Sequence, residues 1–221
     1  MSYKEIPSTD RPEWLKWRHD GIGSSDAAVV MGVSRFNDWE SLLSAKARPE
    51  PLEDNQNAYI KERGNKIEFQ VRSFFERKLE KTFAPKNTEH AVFSFIRASL
   101  DGASEDGKSI LEIKLLSSIN PAKVNIEAEG YKKWLAARNG EVPKEYYPQI
   151  EHQLFVTGAE VCFFVGYKEV KGNQIVTEDK LAVIPVYPNK EYQRKLLQEE
   201  FRFWLEVQFR KEELKYKGEL E

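Results

Sequence analysis

The chain has a single cysteine, Cys162, too few for a disulfide framework. Its setting in VCFFVGY reads as a thiol buried in a strand. Long apolar runs are absent too, and none approaches the roughly 20 residues that a membrane span needs. The N-terminal MSYKEIPSTDRPEW has no apolar core of the kind a secretory signal carries. These absences point to a cytoplasmic protein without a membrane segment. His19, His90 and His152 lie far apart, with no HxH or HExxH spacing, so a histidine metal centre is excluded. An excess of positive charge is also missing: 34 Lys and Arg face 36 Asp and Glu, for a net charge of −2. Simple binders of nucleic acid are usually basic, because phosphate contacts dominate their affinity. A nucleic-acid enzyme of this composition must therefore gather its cations on one face and its acids elsewhere.

What is present is a globular chain. Its 221 residues suit one domain, 1–221, with a substantial core. No repeat or low-complexity tract interrupts it, and the stretch 47–57, ARPEPLEDNQN, reads as a mobile loop. Asp10 is a good N-cap for a helix through EWLKWRH, with Pro12 early in the helix and Glu13 three residues on. A short helix is expected over SDAAVVM up to Gly32, and another over DWESLLSAK. A long helix spans about 57–80, with Ile60, Ile67, Val71, Phe74, Phe75 and Leu79 at helical spacing. Gly64 interrupts it at about 1 kcal/mol relative to Ala, which suggests a close approach there. AVFSFIRASLDG and SILEIKLL then read as two strands of a hairpin. Helices follow near 121–138 and over YYPQIEHQLFVTG, then strands over VCFFVGY and KLAVIPVY, and a C-terminal helix over about 189–216. Helices at both ends of a run of strands predict an α/β fold, a mixed central sheet with helices against its faces.

In SILEIKLL, alternation puts Leu111, Ile113 and Leu115 on one face and Glu112 with Lys114 on the other. The hairpin brings Asp101, at the end of the preceding strand, within reach of Glu112. Two converging carboxylates offer oxygen ligands to a hard cation such as Mg²⁺. Such a cation stabilises charge on a phosphate and activates water, while Lys114 orients that water or neutralises charge. Read alone, the triplet also suits a solvated hairpin. Glu68, on the long helix, adds a third acid.

The order of these motifs resembles the lambda-type phage alkaline exonucleases of the PD-(D/E)xK nuclease superfamily, whose fold is restriction-endonuclease-like. Four blocks within residues 14–167 carry the resemblance: WLKWRHDGIGSSDAA, RGNKIEFQVRSFFE, ASLDGASEDGKSILEIKL and YYPQIEHQLFVTG. It implies a nuclease core over about 14–187. It makes Asp101 and Glu112 metal-binding carboxylates, with the Ile113 carbonyl as a further metal ligand and Glu68 as an outer metal or water ligand. Lys114 falls on the catalytic lysine. Arg18 and Ser25 fall on positions that hold the 5′-phosphate of the DNA strand, and Ser99 on a hydroxyl position nearby. Tyr146 and Gln149 match polar residues of the helix beside the site, and Gln153, one turn on, shares that side.

Where the family carries a second phosphate-binding arginine, this chain has LLSSIN, with Asn120 at or near the place and Lys123 as a substitute. The resemblance also implies Mg²⁺ (or Mn²⁺) as cofactor and double-stranded DNA ends as substrate. It implies 5′-to-3′ digestion leaving 3′ single-stranded overhangs, a homotrimer, and a single-strand annealing protein as partner. A structure-selective or site-specific endonuclease of the same fold would carry the same centre, and a non-catalytic DNA-end-binding module is the alternative outside enzymes. An iron–sulfur nuclease is excluded by the lone cysteine.

Overall fold

A computed structural model of the chain describes residues 3–7, 10–51, 58–173 and 175–218, with backbone alone at 58–63. A first strand, β1 (Tyr3–Ile6), precedes α1 (Arg11–His19). The Asp10 carboxylate caps α1 by accepting from Glu13 N–H at 3.0 Å, and Pro12 sits in the first turn, where its missing N–H is harmless. A two-residue strand, β2 (Ile22–Gly23), and a 3₁₀ turn (Ser24–Asp26) lead into α2 (Ala27–Val30). Asp38 caps α3 (Trp39–Ala47) in the same way as Asp10 caps α1, at 2.8 Å from Ser41 N–H. Next come α4 (Ala58–Leu79), β3 (Phe83–His90), β4 (Ile96–Ser104) and β5 (Ser109–Ile119). The chain continues through α5 (Glu129–Arg138), α6 (Tyr147–Thr157), β6 (Val161–Val170), β7 (Leu181–Val186) and α7 (Lys190–Tyr216).

The sheet runs in the order β1-β3-β4-β5-β6-β7, with β2 beside β4. β5 and β6 are parallel, so the chain must cross over between them, and α5 and α6 make that crossover. The result is the mixed sheet flanked by helices that the alternating pattern predicts. α5 and α6 cover one face, where Trp134, Ala137, Ile150 and Leu154 pack on Ile96, Leu100, Ile110 and Phe164. α4 covers the other, where Ile67, Val71 and Phe75 meet Phe83, Leu111, Ile113 and Val165. A third cluster joins α2, α3 and α7 through Val29, Leu42, Leu43, Phe203 and Val207. Cys162 lies fully buried in β6, as its apolar neighbours predict.

β4 organises the site. One edge pairs with β3 from Ser104 to Arg97. The other pairs with β5 at Gly102 and Ala103, and with β2 at Ile96 and Arg97. Between those two short ladders, residues 98–101 face an opening in the sheet. A bulge lies at the same place: β3 advances two residues from Ala84 to Lys86 while β4 advances three, from Ala103 to Leu100. The extra residue breaks strict alternation and re-aims Asp101.

Several expectations change. β1 and β3 were not predicted, and residues 91–95, expected as strand, form a turn in which His90 Nδ1 accepts from Val92 and Phe93 N–H. The helix expected near 121–138 begins only at Glu129. Before it, the side chains of Asn120 and Asn125 each take a backbone N–H two residues on, at 3.0 Å, and these local bonds compete with a helix. Among the described residues an added Cβ at Gly64 meets nothing within 4 Å, so they show no close approach of the kind suggested there. Most of the 47–57 loop lies outside the described residues. The face of β5 carrying Glu112 is not that of a solvated hairpin: it is covered by α6, and Glu112 is 1% exposed. Among the described residues no helix is long and apolar enough to cross a membrane.

Candidate active site

The opening beside β4 is a pocket of about 300 Å³. Asp101, Glu112, Lys114 and Glu68 line it together with Arg18, Ser25, Ser99 and Gln149. The structure thus brings the carboxylate centre and the expected phosphate-binding residues into one cavity. Trp14, Trp17, Asn65 and Arg97 complete much of the wall.

Glu112 is held from α6. Gln149 Nε2 donates to its Oε1 and Gln153 Nε2 to its Oε2, both at 2.6 Å, and Lys114 Nζ lies 2.5 Å from Oε1. Gln149 and Gln153 are one helical turn apart, so both amides reach the same carboxylate. Hydrogen bonds to a charged group contribute about 1.5–3 kcal/mol each and fix its orientation. Among the described residues Gln153 Oε1 is buried without a hydrogen-bond partner. Tyr146, at the N-cap of α6, places its ring 5.7 Å from Lys114 Nζ.

Asp101 uses the opening differently. Its Oδ2 accepts from Ile113 N–H at 2.7 Å, so a carboxylate takes a donor on β5 that no ladder with β4 reaches. Its backbone carbonyl accepts from Arg72 Nη1 at 2.7 Å, and the same nitrogen is 2.7 Å from Glu68 Oε1. One guanidinium therefore ties α4, Glu68 and the Asp101 backbone together. Arg72 was not among the residues singled out from the sequence. The available signal was its i,i+4 spacing, which describes many exposed pairs equally well.

The acids crowd one another. Burial first, and then the Glu112 carboxylate, push the Asp101 carboxyl well above the ordinary carboxylate range. Burial also raises Glu68, against the opposing pull of Arg72, with Glu112 adding to the rise. Burial works against the charge on Lys114, but Glu112 and Asp101 more than offset it and hold the ammonium proton firmly. Such strongly shifted groups in a cleft mark a functional site. Among the described residues no three or more His, Cys, Asp and Glu side chains lie close enough to hold a metal by themselves. The donor set still suits a hard cation: the buried Glu112 and half-buried Asp101 carboxylates, whose mutual repulsion a cation would relieve, with backbone oxygen and water to complete the shell.

Arg18 Nη2 donates to Ser25 Oγ at 2.5 Å, joining the end of α1 to the turn after β2. Ser99 Oγ, on the open stretch of β4, accepts from Trp14 Nε1 at 3.3 Å. Arg97 is fixed behind them by hydrogen bonds to Trp17 O and Ser94 O. Asn120 is not brought to the pocket. It lies exposed in the turn after β5, bridged to Lys123, six residues and on the order of 20 Å of strand beyond Lys114.

The mixed sheet and its flanking helices superpose on solved structures of alkaline exonucleases. LHK-Exo in complex with dAMP superposes with a TM-score of 0.73 at 18% identity, over 93% of this chain and 97% of that one. The alkaline exonuclease LHK-Exo from Laribacter hongkongensis gives 0.69 at 17% identity, over the same shares. A phage-related exonuclease from Haemophilus somnus 129PT gives 0.56 at 11%, over 89% and 96%. By sequence, the YqaJ-like viral recombinase domain matches residues 13–160, and the chain belongs to that family. The uncharacterized protein YqaJ of Bacillus subtilis (strain 168) is 29% identical over 180 residues, 77% of this chain and 51% of the relative. The chain thus spans about half the length of the curated relative it matches.

Proposed function

We propose that the protein is a Mg²⁺-dependent 5′-to-3′ exonuclease acting on the ends of linear double-stranded DNA, leaving 3′ single-stranded overhangs for phage-type recombination. The observation that carries this reading is the single pocket joining Arg18 and Ser25 to Asp101, Glu112 and Lys114. Asp101 and Glu112 would hold the cation, with the Ile113 carbonyl as a further ligand and Glu68 farther out. The chemistry such a cation supplies is stabilisation of charge on the phosphate and easier deprotonation of water; Mn²⁺ would serve as well.

The chain's own residues do the rest. Lys114, 2.5 Å from Glu112, is placed to act as a charged donor to the phosphate or the incoming water. Gln149 and Gln153 orient Glu112 without neutralising it. Arg18 grips the terminal 5′-phosphate through its planar guanidinium, and Ser25 adds a hydroxyl donor. Holding the end one nucleotide from the carboxylates sets the direction of digestion. Membership of a viral recombinase family supports a recombination role. A homotrimer enclosing the duplex and an annealing protein receiving the exposed strand extend the proposal.

Linear duplex labelled at either end, and a closed circle, would be incubated with Mg²⁺. Release from the 5′ end with the circle left intact is expected. Cutting of the circle would favour an endonuclease, and binding without release a DNA-end-binding module. Sedimentation of the purified chain tests the trimer separately.

A further inference from the structure

Arg18 and Ser25 stand on separate elements, and a buried cation lies behind their contact. Lys46, on α3, is 6% exposed. Its ammonium donates to Gly21 O at 2.6 Å and to Arg18 O at 3.0 Å, and lies 3.0 Å from Asp26 Oδ2. The carbonyl of Arg18 is in the last turn of α1 and has no partner within the helix. Asp26 Oδ2 also accepts from Gly23 N–H at 2.9 Å, which fixes the turn carrying Ser25. A Cβ at Gly23 would lie 3.4 Å from Arg18 Nε and 3.6 Å from Asp26 Oδ2, so Arg18 and the acid flank the same glycine. Asp26 thus has two cations near it, and burial's upward push on its carboxyl is outweighed by Lys46 and then Arg18. Of the two, Lys46 makes the direct ion pair, and Arg18 turns its guanidinium to Ser25 and the pocket.

We propose that Lys46 is a positioning residue for the phosphate grip: by occupying Asp26 it leaves Arg18 free to face the pocket. This rests on the reading of Arg18 and Ser25 as the holders of a terminal 5′-phosphate. Without the ammonium, Asp26 becomes a largely enclosed carboxylate lacking its direct partner, a costly state that the neighbouring guanidinium can relieve by turning inward. The grip is then spent on the protein.

Lys46→Met removes the charge and keeps the length of the side chain. Asp26→Asn with Lys46→Met removes both charges. Fluorescence anisotropy would compare duplex oligonucleotides with a 5′-phosphate and a 5′-hydroxyl on wild type and both variants, with digestion rates alongside. Wild type is expected to prefer the phosphate. Lys46→Met should lower that preference at least about tenfold, the size of one lost charge-assisted hydrogen bond, with 5′-hydroxyl duplex bound as before. The double variant should regain most of the preference, because no acid remains to draw Arg18 in. A Lys46→Met protein with full preference overturns the proposal, and so does a double variant as impaired as the single one. Should Lys46→Met not fold, the double variant is set against Asp26→Asn: both are expected to keep the preference, and its loss in the neutral pair overturns the counter-ion role. Wild type indifferent to the phosphate removes the grip itself, a separate result.

Discussion

The two edges of β4 make different use of the same backbone. On the β3 side, ladder hydrogen bonds run nearly the length of the strand, and a side chain within it, Thr88, donates to Ala98 O at 3.2 Å from a fully buried position. On the other side β5 and β2 each pair with two residues, and side chains from distant elements meet the backbone groups near the opening. Arg72 reaches the Asp101 carbonyl from α4, and His152 reaches the Arg97 carbonyl from α6. A paired edge is satisfied by its neighbour and has nothing left to offer a ligand. An open edge must recruit polar side chains, because unpaired buried backbone groups are costly, and those recruits end up around a cavity. The candidate site is the price of leaving the sheet unfinished.

That contrast can be broken most severely at the carboxylates. Asp101→Asn or Glu112→Gln is expected to lower hydrolysis on the order of a thousandfold while duplex binding persists, measured by label release and by gel shift. Full activity of either variant would remove the centre from consideration. Lys114→Ala should fall by about a hundredfold or more without loss of metal affinity, read by titrating Mn²⁺. A matched pair then compares the edges directly. Arg72→Ala and Thr88→Val each remove a side-chain donor to a β4 carbonyl, and each should cost about 1–3 kcal/mol in denaturant melts. Only Arg72→Ala should also slow turnover per folded molecule, by about tenfold or more, since displacement at the site is expensive. Equal rates for the two variants would end the distinction.

His152 supplies a smaller effect. Burial opposes its protonation, but Glu200 at 2.6 Å outweighs burial, so its pKa is raised above 6.5. The stability it contributes is whole below the unfolded value and is lost as pH rises through the raised folded value. Thermal melts from pH 6 upward should show that decline in wild type and a weaker one in Glu200→Gln; identical curves would exclude it. Least affected should be Asn120→Ala, with rates and phosphate preference within about twofold of wild type, as expected of an exposed surface position.

β5 was legible because Leu111, Ile113 and Leu115 alternate with Glu112 and Lys114, and a period of two is a strong signal. β3 was not: FAPKNTEH has a proline, little apolar content and no alternation, and it is strand because β1 and β4 pair with it on both edges. The four carboxylate and lysine positions could be named from their motifs, but the bulge that aims Asp101 depends on one extra residue of β4 against β3, a pairing that no local pattern records. Arg72 and Lys46 escaped for a common reason. Each is a long cation on an amphipathic helix, where solvent is the ordinary destination, and only the packed fold turns it inward.

α6 ties the site to the end of the chain. Gln149 and Gln153 hold Glu112, while Glu151 between them accepts from Asn189 N–H and Gln193 Nε2 of α7's first turn, and His152 meets Glu200 farther along. In the terms of protein grafting, residues 147–157 and 189–200 are one cassette. A chimera that takes either helix from a relative without the other leaves Glu151 and His152 facing strangers, and the misfit passes along α6 to the carboxylate it holds.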